Sequence, residues 1–270
     1  MASLSARNPI PRTTIQRYYL DVCEMSYDKR LKRAAELLVD PTPLIAEFSD
    51  GIAAFQSYDN LEGFYSNKSR APGEPDPIGR IRRTPDVAWY LRRQRVLEVD
   101  NAPGLNAEYL DYEIAPARTT DRAYFDDGRP WSTGVIIDLL LASCDNRTPI
   151  VGELKIKNDK DPFTALIQML AGTVHLVTTN QYRRLCEFVP AGRFAPAERP
   201  NLDGYILLYR FLEKPQAELA MLDEHADRLG ELLMSHSEIT SYLRRIACIE
   251  LELGDDSKLH GTCRWQHGGE

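Results

Sequence analysis

Apolar residues recur along this chain with two periods, and the switch between them marks out its elements. Residues 1–14 show neither period and read as a proline-containing lead-in. From Thr14 to Leu38, Ile15, Tyr18, Tyr19 and Val22, then Leu31, Ala34, Leu37 and Leu38, fall near helical spacing, and Pro41 and Pro43 end the pattern. A shorter helical or mixed piece spans Pro43 to Phe55. The Asn-, Ser-, Gly- and Pro-rich stretch Tyr58–Gly79 reads as a loop. Arg80–Val96 reads as an amphipathic helix and Asn101–Ala117 as another, and Arg122–Phe125 suggests a short strand.

The period then changes. Val135–Leu141 and Ile150–Ile156 are strand-like apolar runs joined by the polar turn Ser143–Thr148. Asp161-Pro162 opens a helix with an N-cap carboxylate and a first-turn proline, its apolar set being Phe163, Leu166, Ile167, Leu170 and Val174. Gly204–Leu212 predicts a strand, Pro215–Ile246 helix, Ile246–Leu253 a last strand, and Asp255–Glu270 a polar tail. The predicted class is α/β: a central mixed β-sheet flanked by helices over residues 101–254, a mainly helical region over 1–100, and a tail over 255–270.

Composition narrows the picture. With 43% hydrophobic residues among 270, the chain can bury a large core. No stretch approaches the ~20 apolar residues of a membrane span, and residues 1–14 lack the apolar middle of a secretion signal. Five scattered cysteines point to reduced thiols and a cytoplasmic, intracellular protein. A net charge of −7 argues against a surface that grips nucleic acid everywhere, but not against a local basic groove. Such a groove has a candidate in RIRRTPDVAWYLRRQRV, where Arg80, Arg82, Arg83, Arg92, Arg93 and Arg95 surround Trp89 and Tyr90. Phosphates would meet the guanidinium groups and bases the rings. An exposed helical face explains the same run equally well.

Chemistry concentrates in the two central strands. Asp138 interrupts Val135-Ile136-Ile137-Asp138-Leu139-Leu140-Leu141, and burying a lone carboxylate is costly unless it is paired. On the next strand Glu153 and Lys155 point to one face while Leu154 and Ile156 point to the other. If the strands form a hairpin, Asp138, Glu153 and Lys155 converge on a divalent-cation site with an ammonium beside it. A buried Asp138–Lys155 ion pair with Glu153 at the surface is the purely structural alternative. Asp256-Ser257-Lys258 repeats the acid-x-Lys spacing without an apolar strand around it. His260, Cys263, His267 and Cys248 match no common zinc-finger spacing.

The Asp-bearing strand, Glu-x-Lys strand and Gln-bearing helix together resemble the PD-(D/E)XK nuclease superfamily over roughly Asn101–Leu212. The resemblance implies a restriction-endonuclease-like core and Mg²⁺-dependent hydrolysis of phosphodiester bonds in nucleic acid, with DNA the expected substrate and Mn²⁺ a substitute metal. It assigns Asp138, Glu153 and the Leu154 carbonyl to the metal and Lys155 to charge stabilisation. Lys155, protonated beside two carboxylates, is expected to act electrostatically rather than as a base. Gln168 takes the role of the polar helix residue, and an acid on the preceding helix is Glu108 or Glu113, with Glu113 preferred. Ile137 stands where the motif's proline would be, and Gly172 where one subgroup carries a tyrosine. A non-catalytic nucleic-acid-binding or assembly module of the same fold is the alternative function. A second copy of the chain or a partner protein remains open.

Overall fold

A computed structural model describes residues 14–56, 71–75, 80–114, 125–126, 129–130, 136–156, 161–189, 193–194, 197, 200–209 and 217–269. The Tyr58–Gly79 loop is therefore described only at 71–75, and most of the predicted strand Arg122–Phe125 lies outside these residues.

The helical pattern at the start forms three helices, α1 (Thr14–Glu24), α2 (Tyr27–Val39) and α3 (Thr42–Gln56). The expected single helix over Thr14–Leu38 is broken at Met25-Ser26. Arg30 Nε donates to the Met25 carbonyl at 3.0 Å and its guanidinium pairs with the buried Asp161, which ties the start of α2 to the residue that caps the helix over Pro162–Leu176. Then come α4 (Thr84–Gln94), β1 (Val96–Val99), a 3-10 turn at Pro103–Leu105 and β2 (Ala107–Ile114). Where a helix was predicted over Asn101–Ala117 the chain makes β2, whose alternation is blurred by a bulge between Tyr109 and Asp111. A two-stranded ladder, β3 (Phe125–Asp126) and β4 (Arg129–Pro130), precedes β5 (Ile137–Ser143) and β6 (Pro149–Ile156). The rest is α5 (Pro162–Leu176), α6 (Thr179–Phe188), β7 (Leu202–Tyr209), α7 (Ala217–Met234), α8 (Ser237–Thr240), β8 (Leu243–Leu253) and β9 (Leu259–Gly268).

Seven strands close a barrel in the order β1-β2-β5-β6-β7-β8-β9. This overturns the expected open central sheet of a restriction-endonuclease-like core. The cause lies in two strands that hydropathy does not announce. Val96–Val99 follows the basic helix without a break in the run, and the supposed polar tail is β9, which pairs along β8 and then meets β1 in parallel. The seam has only two Cα pairs, Glu98 with His260 and Val99 with Gly261. A Cβ at position 261 would lie 2.9 Å from Ile249 Cγ2 and 3.2 Å from the Glu98 carbonyl oxygen, so glycine permits the approach. Side-chain amides extend the seam at both ends. Gln94 Nε2 donates to the Leu259 carbonyl and its Oε1 accepts from Leu259 N–H, both at 2.8 Å. Asn101 does the same to Cys263 at 2.9 and 2.7 Å.

One apolar cluster draws on every barrel strand, through Leu97, Ala107, Leu139, Ile150, Leu207, Ala247 and Leu259, and so fills the inner face. Val87, Ala88, Tyr90 and Leu91 of α4 join it. The second cluster joins the outer face of the sheet to α1–α3, α5 and α7, with Leu140 and Val151 packed beside Phe48, Leu166, Leu170 and Leu222. Among the described residues no helix is long and apolar enough to cross a membrane.

Candidate active site

The antiparallel ladder between β5 and β6 ends at the pair Leu139–Gly152. A Cβ on Gly152 would lie 3.0 Å from Leu139 Cβ, so glycine lets the strands stay close to that point. One residue beyond, the carboxylate of Asp138 takes over from the strand: Leu154 N–H donates to Asp138 Oδ2 at 3.0 Å. A half-buried Asp is tolerated in an apolar strand because its oxygen replaces a missing ladder acceptor. The N–H and C=O of a strand residue leave on the same edge, so the Leu154 carbonyl also leaves β6 on the edge that faces β5.

Glu153 and Lys155 project from β6 towards α5, 1% and 5% exposed. Lys155 Nζ donates to Glu153 Oε1 at 2.6 Å and to Gln168 Oε1 at 3.0 Å. Gln168 is the one residue of α5 that is not buried. Asp161 anchors the start of this helix, its Oδ1 accepting from Thr164 N–H at 2.7 Å while its other oxygen meets Arg30. The remaining neighbours of Gln168 on its stripe are structural. Thr164 Oγ1 bonds to Asp161 at 3.1 Å, a Cβ on Gly172 would meet Ile137 Cγ1 at 3.1 Å, and His175 is fully buried.

Burial, and next the charge of Asp138 beside it, push the Glu153 carboxyl well above the usual range, against the pull of Lys155. The structural alternative of an Asp138–Lys155 pair with an exposed Glu153 is not what forms, since Glu153 is buried and bonded to the ammonium. Two carboxylates and one carbonyl are hard oxygen donors suited to Mg²⁺, which keeps several waters of its own. Among the described residues no three His, Cys, Asp or Glu side chains form a metal-holding group.

The structure adds a residue that sequence did not single out. Tyr19 on α1 donates its hydroxyl to Gln168 Oε1 at 2.6 Å. Its burial, then Cys23 and the charges of Glu153 and Asp138, raise its phenol above the ordinary range. No sequence signal links positions 149 residues apart.

The two helix acids lie on β2, not on a helix. Glu113 falls between the pairs Tyr112–Leu139 and Ile114–Ile137, which puts it level with Asp138, and its φ of 48° interrupts the strand. Glu108 sits opposite Ala142, and its carboxylate pairs with Arg193. Of the basic strip, Arg92 and Arg93 are exposed in the last turn of α4, with the Arg93 guanidinium 4.5 Å over the Trp89 ring. Arg82 and Arg83 donate backbone N–H groups to Asp86 at 2.9 and 3.0 Å, Arg80 is exposed, and Arg95 closes the helix with φ of 68°. Because α4 packs on the inner face, the strip and the carboxylates belong to opposite faces of the sheet. His260 contacts Asp256, and His267 contacts Asp227, away from any shared centre with Cys263. No protein-family model, curated protein or solved structure matches the chain.

Proposed function

We propose that the chain is a divalent-metal-dependent nuclease that hydrolyses phosphodiester bonds in nucleic acid, with DNA the preferred substrate. What supports this most is the convergence of Asp138, Glu153, the Leu154 backbone and Lys155 at the end of one ladder, with Gln168 bonded to the ammonium. The reading keeps the likeness to the PD-(D/E)XK motif at the level of these residues and does not extend to that superfamily's open sheet. Asp138, Glu153 and the Leu154 carbonyl would hold Mg²⁺ or Mn²⁺, which when bound acts as a Lewis acid on the phosphate and lowers the pKa of water. Lys155 carries positive charge at a buried position, where it stabilises negative charge developing on the phosphate oxygens more than it would in water. The exposed arginines of α4 would hold flanking backbone. The unpaired cysteines agree with an intracellular setting.

The test is cleavage of labelled single-stranded, duplex and branched DNA, and of RNA, with Mg²⁺ or Mn²⁺. Wild type should cut at least one substrate, and Asp138→Asn and Lys155→Ala should each lose at least a hundredfold in rate, in line with removal of an electrostatic stabiliser. Absence of both cleavage and calorimetric metal binding by the wild type would reject the proposal. Salt-sensitive binding without cleavage or metal uptake would favour a non-catalytic nucleic-acid module instead.

A further inference from the structure

We infer that Tyr19 is a positioning residue of this site, fixing the side-chain amide of Gln168 so that its NH₂ group faces the substrate phosphate. The inference rests on reading the site as one that cleaves phosphodiesters. Its geometry starts from donor and acceptor inventory. An ammonium has donors only, so the Gln168 atom 3.0 Å from Lys155 Nζ is the amide oxygen and not the nitrogen. The Tyr19 hydroxyl, 2.6 Å from that same oxygen, must donate to it as well. Both lone-pair directions of Oε1 are then used, one by a strand and one by α1. Turning the amide over would set its N–H groups against an ammonium, lose the bond from Lys155 and force the Tyr19 hydroxyl to accept instead of donate.

The nitrogen end is consequently directed away from Lys155, on the one side chain of α5 that is not buried. It offers two donors, suited to a phosphate oxygen that gains charge during cleavage. The Tyr19 hydroxyl bonds to the amide and acts on the site through Gln168. A tyrosine retained for packing alone would tolerate loss of its hydroxyl without consequence for that amide.

Side-chain amide NMR separates the two roles in the metal-free protein. The Gln168 NH₂ pair, assigned by its loss in Gln168→Ala, should shift or broaden in Tyr19→Phe. In cleavage assays Tyr19→Phe should lower kcat about tenfold with KM unchanged, and that loss should vanish when Gln168→Ala is already present. An unmoved Gln168 resonance, an equal kcat loss in the Gln168→Ala background, or an effect confined to KM would overturn the inference. A wild type that neither cuts nor binds metal would reject the nuclease reading, while the resonance would still decide whether Tyr19 holds the amide.

Discussion

His175 shows what a single buried residue costs this chain. Its Nδ1 bonds to the Ala171 carbonyl at 2.7 Å and its ring stands edge-on to Phe55 at 4.6 Å, while Nε2 finds no partner among the described residues. Burial lowers its pKa from 6.5 to about 4. In the folded state the imidazole therefore stays neutral where the unfolded chain already takes up a proton. Between pH 6.5 and 4 the unfolded state binds more protons, so stability falls as pH falls through that window and is fully present above it. The contribution lost at pH 5 relative to pH 7 should be about 2 kcal/mol. Urea denaturation at the two pH values should show this loss in wild type and a smaller one in His175→Leu; equal pH dependence in both would remove His175 as the cause. In the sequence His175 shares a helical stripe with Gln168, yet one is a sealed core group and the other reaches the site. Helical spacing alone does not distinguish them, because the difference is set by what packs over each.

At the scale of elements, hydrophobicity reveals what is buried on both sides and hides what is not. β5, β6, β7 and α5 are readable because nearly every position in them is apolar, and the Asp138, Glu153 and Lys155 exceptions stand out for that reason. β9 escapes notice because LHGTCRWQHG buries only Leu259, Gly261 and Trp265 and spends its other side chains at the surface or in polar pairs. β2 escapes it because its bulge shifts the period. The seam joining β1 to β9 relies on side-chain amides where backbone pairing runs out, and these should matter accordingly. Gln94→Leu removes bonds to Val96, to the Leu259 carbonyl and to Leu259 N–H. Stability should drop by about 1–3 kcal/mol. Hydrogen exchange should then accelerate in Val96–Val99 and Leu259–Cys263 and remain slow in β6 and β7. Uniform acceleration across all strands would mean that the seam is not a separate opening unit.

For the molecule as a whole, the sheet keeps the carboxylates on its outer face and the exposed arginines on the helix that packs against its inner one. If the chain acts on nucleic acid as proposed, this division would give a protein of net charge −7 a place to meet the polyanion without surrounding its acidic centre with arginine. Of the strip, Arg92 and Arg93 are the residues to test. They are exposed at the end of α4, where the helix dipole also favours positive charge, and the Arg93 guanidinium lies 4.5 Å over the Trp89 ring. If each meets one phosphate, the pair releases about two counterions, and the double variant Arg92→Ala/Arg93→Ala should flatten the plot of log binding constant against log salt by about 1.4 for single strands or 1.8 for duplex. Affinity should fall alike for all sequences, because phosphate contacts position a ligand without reading it. Cleavage at saturating substrate and low salt should be kept, since neither residue touches Asp138, Glu153 or Lys155. An unchanged slope would identify α4 as an ordinary solvated helix and leave the grip on nucleic acid to be sought on the face that carries the carboxylates. A changed slope with lost turnover would show instead that the two faces act on one stretch of backbone, bringing α4 into the path of the substrate.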